Sequence, residues 1–236
     1  NKDMVKNFFP GKKKVSLVPR GVDTEEFSPR SRNKKLLEKY RIRKDEKVIL
    51  TVANLVPVKG IEILLDSFAL LVEKYDYIRL LIVGEKENEY GRAMEAKANQ
   101  STAISKIHFT GKVQNVLDYY SIADVFVLPT LDEGRREGCP VSLLEAMASR
   151  LPIACSNRLP MPEVLGDAGI YFEPEDITSI NNALRKLIFS PKLRKIMAKK
   201  AQERVNKFTW EQCAHDTFEF LSASTQSLPK KINSNC

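Results

Sequence analysis

Histidine is nearly missing from this 236-residue chain, where only His108 and His215 occur. His108 falls in a strand pattern and His215 in a C-terminal helical pattern, so both are read as packing residues. With so few imidazoles, no metal centre is expected. Cysteine is sparse as well. Cys139, Cys155, Cys213 and Cys236 show neither zinc-ligand spacing nor the density of a small disulfide scaffold, which favours a reducing, cytoplasmic setting. There is no run of about 18 uncharged apolar residues, so no membrane-spanning helix is expected. The start, Asn1-Lys2-Asp3-Met4, has neither an initiator methionine nor the apolar centre of a signal peptide, and the chain reads as a fragment of a longer one. No GxGxxG follows a strand pattern, which counts against a nicotinamide or flavin dehydrogenase, and no Walker-type phosphate loop occurs.

What is abundant is positive charge, +8 net. The cations form no single block. They lie at Lys12-Lys13-Lys14, over 30–35, over 192–200 and at Lys230-Lys231. The 192–200 run reads as the wet face of a helix with Leu193, Ile196 and Met197 turned inward. The charge is read as solubility plus a field that favours phosphate ligands, not as a nucleic-acid surface.

Apolar patterning alternates between short β-rich runs and helical periods. Strands are expected at 15–18, 48–53, 79–83, 107–110, 125–128, 152–155 and 170–172. Helices are expected at 32–40, 61–75, 87–99, 116–123, 141–148, 177–189, 191–208 and 210–221, with a helical turn at 162–165. Several strands are continuous apolar runs, as in sheets covered on both faces. The expected fold is a doubly wound α/β domain with a Rossmann-like parallel sheet. The lobe is assigned to 15–208, a terminal helix to 209–223 and a disordered tail to 224–236.

In such a sheet ligands lie beyond the carboxyl ends of the strands. The loops there are 54–60, 84–86, 111–114 and 130–139. Lys59-Gly60 stands at a helix entrance, where the ammonium can meet a diphosphate and the glycine admits a close backbone approach. Two carboxylates, Glu137 and Glu145, flank a loop and the start of the 141–148 helix. Pro140 suits a first helical turn, and free N–H groups there favour a phosphate. Glu145 sits among core-facing residues, so its carboxylate needs a partner, and ribose hydroxyls can supply one. Two alternatives stand beside this: a pair of solvated acids, or the acid/base pair of a glycoside hydrolase. The second explains neither the lysine nor the glycine loops.

Eight segments, in order, carry a wider resemblance: VPRGVDTEEFSP (18–29), VANLVPVKGIEILLDSF (52–68), LLIVGE (80–85), IHFTGKV (107–113), YYSIADVFVLPT (119–130), EGCPVSLLEAMASRLPIACS (137–156), MPEVLGDAGIYFEP (161–174) and FTWEQ (208–212). Together they resemble the C-terminal lobe of a retaining GT-B glycosyltransferase of the group 1, family 4 (glycogen-synthase-like) class. The resemblance implies transfer of a hexose from a nucleotide-diphosphate sugar to an acceptor hydroxyl, in glycan or glycolipid synthesis, without cofactor or metal. It implies Glu137 near the transferred sugar, with Gly138, Cys139 and Val141 lending backbone N–H groups to sugar and diphosphate. Glu145 would hold the ribose hydroxyls and Lys59 would neutralise the diphosphate beside Gly60. The Lys112-Val113-Gln114 loop would border the base. It also implies that 1–14 is a linker remnant and that a missing N-terminal lobe supplies the acceptor contacts, so that this lobe alone would be inactive. The acceptor is a saccharide or lipid, no nucleic acid is involved, and peripheral membrane contact is left open. Asn54 stands where the family usually has a second cation, arginine. Arg20 stands where asparagine is usual, Arg135 or Arg136 could restore charge, and Pro140 replaces a frequent glycine. A non-catalytic nucleotide-sugar-binding or scaffold domain is the alternative reading.

Overall fold

The structure, a computed structural model, describes residues 16–131 and 140–225. Six strands form one all-parallel sheet: β1 (Lys47–Val52), β2 (Ile78–Val83), β3 (Ile107–Gly111), β4 (Val125–Leu128), β5 (Ile153–Ser156) and β6 (Ile170–Phe172). Their spatial order is β3-β2-β1-β4-β5-β6. The order reverses between β1 and β4, which is where a doubly wound sheet opens its crevice. The β1–β2 pairing runs in register from Lys47 opposite Ile78 to Val52 opposite Val83.

Alternation along each strand sends side chains to two cores. Ile49, Leu80, Ile82, Val125 and Val127 meet α2 (Ile61–Lys74), α3 (Glu89–Asn99) and α7 (Ile177–Phe189) on one face. Val48, Leu50, Leu81, Phe126 and Leu128 meet α4 (Leu117–Ile122), α5 (Val141–Ala148), α6 (Met161–Leu165) and α8 (Pro191–Val205) on the other. A short helix, α1 (Lys34–Lys39), precedes the sheet, and α9 (Trp210–Thr225) ends the described chain. Side-chain caps begin several helices: Asn33 accepts from the Leu36 N–H, Asn88 from Gly91, and Asp176 from Thr178 and Ser179.

Four expectations are corrected. Residues 16–18 form no strand; the nearest pairing is a single parallel bridge from Val22 to Thr209. Ile196 is not turned inward but is 43% exposed. The inward stripe of α8 runs through Leu193, Met197, Ala201 and Val205, and a 3.6-residue period places Ile196 on the far side of it. His215 is not a packing residue, since its side chain is 67% exposed beside Asp216. α9 continues to Thr225, past the expected end at 223, while residues 226–236 lie outside the described residues, as do 1–15.

The end of the sheet away from the crevice is closed by a buried ion cluster that the sequence pattern presented as a polar turn. Glu46 is 0% exposed. It accepts from the Arg79 guanidinium at 2.9 Å and from the Arg43 N–H at 2.8 Å, with the Lys106 ammonium at 3.4 Å. Burial works against the Glu46 carboxylate, but the Arg43 N–H and the Arg79 guanidinium outweigh it and hold its pKa below the usual range. At the start of β4, Asp124 accepts from the Val48 N–H at 3.0 Å and so locks the two central strands together.

Candidate functional site

At the carboxyl ends of β1, β2 and β4 lies a cleft of about 330 Å³, lined among others by Asn54, Lys59, Gly84, Val141, Ser142 and Glu145. Three local structures build it. The first is the turn Pro57–Lys59, which ends on Gly60 with φ 64°. A Cβ at Gly60 would stand 2.0 Å from the Pro129 carbonyl oxygen, so only glycine fits. The turn is tied across to the exit of β4 by the Leu131 N–H to the Val58 carbonyl at 2.8 Å. Lys59 is thereby carried on a fixed turn at the start of α2, half-buried.

The second structure is Gly84 after β2. A Cβ there would lie 1.8 Å from the Ala53 carbonyl oxygen, so the two strand exits are drawn together to form one wall. Asn54 is exposed at that wall, and Leu55 is pinned by its N–H to the Glu85 carbonyl at 3.3 Å. Lys86, in the same loop, is committed to Glu95 at 2.7 Å.

The third is the first turn of α5. Pro140 is the residue before the helix, with φ −74° and ψ 91°, and so occupies the cap position, not the first-turn position expected for it. Pro140 offers this helix no side-chain cap. Val141 and Ser142, in its first turn, line the cleft, with the positive end of the helix dipole behind them.

Glu145 stands one turn further along α5. Its Oε2 accepts from the Tyr120 hydroxyl at 2.7 Å. Burial raises the Glu145 pKa above the usual carboxylate range, the Tyr120 hydrogen bond works the other way, and Glu26 adds to the rise. Tyr120, 2% exposed, is itself pushed well above an ordinary phenol, first by burial and then by the Glu145 charge. Sequence reasoning singled out Glu145 but missed Tyr120; the signal lay in YYSIADVFVLPT, where a tyrosine inside a core-facing helix needs an acceptor for its hydroxyl.

The structure thus brings Asn54, Lys59, Val141 and Glu145 to one cleft, with Gly60 in the turn beneath it. Lys112, Val113 and Gln114 follow β3 at the sheet edge: Lys112 and Gln114 are exposed and Val113 packs partly against the core. They are not among the residues lining the cleft. Glu137, Gly138 and Cys139, like Arg135 and Arg136, lie outside the described residues. Arg20 lies 5.8 Å from the Trp210 ring centroid, stacked on α9. His108 is half-buried against Tyr40, ring centroids 5.1 Å apart, and burial lowers its pKa. Among the described residues no group of three or more histidine, cysteine, aspartate or glutamate side chains is arranged to hold a metal ion. No helix among them is long and apolar enough to cross a membrane.

A doubly wound parallel sheet with a lysine turn, a helix start and a hydrogen-bonded carboxylate around its crevice is a Rossmann-like lobe of the GT-B kind. Residues 32–204 match the family model described as glycosyl transferases group 1. The chain belongs to that family. It is 26% identical over 216 residues to sulfoquinovosyl transferase SQD2 of Arabidopsis thaliana, covering 89% of this chain and 40% of the relative. It is 30% identical over 212 residues to the capsular polysaccharide biosynthesis glycosyltransferase CapM of Staphylococcus aureus, covering 86% and 54%. The chain therefore spans about half the length of the curated relatives it matches. Among solved structures, the C-terminal domain of a group 1 glycosyl transferase, LpcC of Francisella tularensis, superposes with TM-score 0.67 at 23% identity over 80% of this chain and 100% of that one. HepE of Anabaena, in complex with UDP and glucose, gives TM-score 0.75 at 18% identity over 86% of this chain and 55% of that one. At these identities both likenesses speak to the fold.

Proposed function

We propose that this chain is the donor-binding lobe of a retaining, metal-independent hexosyltransferase that uses a nucleotide-diphosphate sugar. The observation that carries the reading is the cleft shared by Lys59, Glu145 and the first turn of α5. A departing diphosphate develops negative charge, and a fixed ammonium with helix N–H groups is preorganised to stabilise it without a metal. Glu145, with Oε2 already engaged by Tyr120, presents a carboxylate whose remaining lone pairs suit vicinal ribose hydroxyls. Glu137, Gly138 and Cys139 are assigned to the transferred sugar on the family resemblance, and Lys112, Val113 and Gln114 to the base. The acceptor, a saccharide or lipid, would be held mainly by a second lobe, in whose absence this one binds donor without turnover. HepE, solved with UDP and glucose, supports a nucleotide-sugar ligand on this fold.

A non-catalytic nucleotide-sugar binder is favoured by one observation, the neutral and exposed Asn54 at the cleft wall, which brings no second cation to the diphosphate.

Calorimetry with UDP, GDP and ADP tests the binding assignment. Glu145→Ala is expected to weaken nucleoside and nucleotide alike by about tenfold or more, the range for a lost hydrogen bond to a charged group. Lys59→Ala is expected to weaken the diphosphate while leaving the nucleoside unchanged. Unaltered affinity in Glu145→Ala would remove the ribose assignment, and equal loss of nucleoside and diphosphate in Lys59→Ala would remove the diphosphate assignment. Transfer by the chain joined to the rest of its protein separates an enzyme from a binder.

A further inference from the structure

Tyr120 is held more tightly than packing alone requires. Its ring meets Phe27 edge-on at 6.0 Å and Phe126 at 6.0 Å. Those two rings come from unrelated places, one from the turn at 23–27 and one from β4. That turn is itself fixed, because the Asp23 carboxylate accepts from the Glu25 and Glu26 N–H groups at 3.0 and 2.8 Å. Clamped this way, the Tyr120 hydroxyl has two acceptors in reach, Glu145 Oε2 at 2.7 Å and the Ser142 carbonyl at 3.3 Å. It carries one proton, and an ionised carboxylate is the stronger acceptor.

We propose that Tyr120 is the positioning residue of the cleft, holding the Glu145 carboxylate in one rotamer so that its remaining lone pairs meet the donor's ribose. The proposal rests on the ribose reading of Glu145. It goes beyond that reading by assigning a second-layer residue and by tying the 18–29 segment, through Phe27, to ligand binding. When Glu145 is ionised, Tyr120 donates to it; when Glu145 is protonated, Tyr120 can donate to the Ser142 carbonyl instead. The groups that face the Glu145 carboxyl are Tyr120 from α4 and Glu26 from the 23–27 turn, with Lys59 on the same cleft from the turn before α2. Tyr120 favours the charged form and Glu26 opposes it.

The consequence is a pH signature. Ribose binding requires the carboxylate, so affinity falls as pH drops through the Glu145 titration. Removing the Tyr120 hydroxyl destabilises the charged form and moves that acid limb to higher pH. Nucleoside affinity is measured by calorimetry from pH 4.5 to about 8, with uridine, guanosine and adenosine, which lack the terminal phosphate that would itself titrate near pH 6, on the wild type and on Tyr120→Phe, Glu145→Ala and a chain carrying 3-fluorotyrosine at position 120. The fluorinated ring is nearly isosteric and its hydroxyl is a stronger donor, so it keeps the buried hydrogen bond that Tyr120→Phe removes. Expected are a roughly tenfold weakening near neutral pH for Tyr120→Phe with its limb shifted up, a limb shifted down for 3-fluorotyrosine, and no limb in Glu145→Ala. Limbs at the wild-type pH in both Tyr120 variants, whatever the affinity, would reduce Tyr120 to a packing residue and overturn the proposal. If Glu145→Ala binds like the wild type, the ribose reading itself falls, which is a separate result.

Discussion

At the residue scale, the Glu145 carboxylate is held against the cost of its own burial. Its raised pKa means that the folded lobe favours the protonated acid. The stabilising contribution is fully present below the ordinary glutamate pKa and is lost as pH rises through the higher folded value. At neutral pH the carboxylate is therefore a liability that a bound ribose would relieve. Glu145→Gln keeps an acceptor for the Tyr120 hydroxyl and removes the buried charge. The variant is expected to melt higher than the wild type at pH 7, with the difference shrinking towards pH 4, while its nucleotide affinity falls. Thermal melts across that pH range, in the absence of nucleotide, check this. An equal or lower melting temperature at pH 7 would mean that the site does not strain the carboxylate. Glu145 was legible in the sequence because an acid inside LLEAMA conflicts with its apolar neighbours. Tyr120 and Glu46 were not, because a tyrosine in an apolar helix and a glutamate between lysines both satisfy local patterns; only their long-range partners, Glu145 in one case and Arg79 in the other, show what they do.

At the element scale, the sheet and its flanking helices were readable because several strands are continuous apolar runs and the helices packed on the sheet each have a buried stripe. The misreadings came where a short apolar run or a helix phase decided the matter. Residues 16–18 look like a strand, yet this part of the chain meets the body through Val22 at Thr209 and the Val22 N–H to the Phe208 carbonyl at 2.9 Å. That contact, with Arg20 on Trp210, joins the first and the last of the eight family segments, a pairing no local pattern could reveal. The Pro57–Gly60 turn is the element on which the cleft depends most. Gly60 combines a positive φ with a Cβ position 2.0 Å from the Pro129 oxygen, so Gly60→Ala must displace the turn or the exit of β4. A loss of about 1–3 kcal/mol in folding stability is expected from the strained backbone, visible in denaturant titration. Because the turn carries Lys59, diphosphate affinity should fall more than nucleoside affinity. If stability drops while both affinities hold, Lys59 is not positioned by this turn.

At the scale of the whole molecule, the crevice with its candidate site is at one end of the sheet and the buried Glu46 cluster closes the other. α9 is the element least satisfied by this arrangement. Trp210 is 47%, Phe218 68% and Leu221 56% exposed among the described residues, a run of large apolar side chains on one helix of the kind that marks an interaction face. On the reading proposed above, the second lobe is expected to cover part of α9 and to close over the cleft. Two measurements separate this from a self-sufficient lobe. Amide exchange across Trp210–Thr225 is expected to be fast in the chain alone and at least tenfold slower when it is joined to a preceding lobe, since protection follows the burial of local hydrogen bonds. Hexose transfer from a nucleotide-diphosphate sugar is expected only from the joined form, whereas nucleotide binding should survive in both. Transfer by the chain alone would show that the acceptor is held by residues within it. Equal exchange in both forms would show that the exposed face of α9 has a different occupant, and would separate the covering of that helix from the assembly of the active cleft.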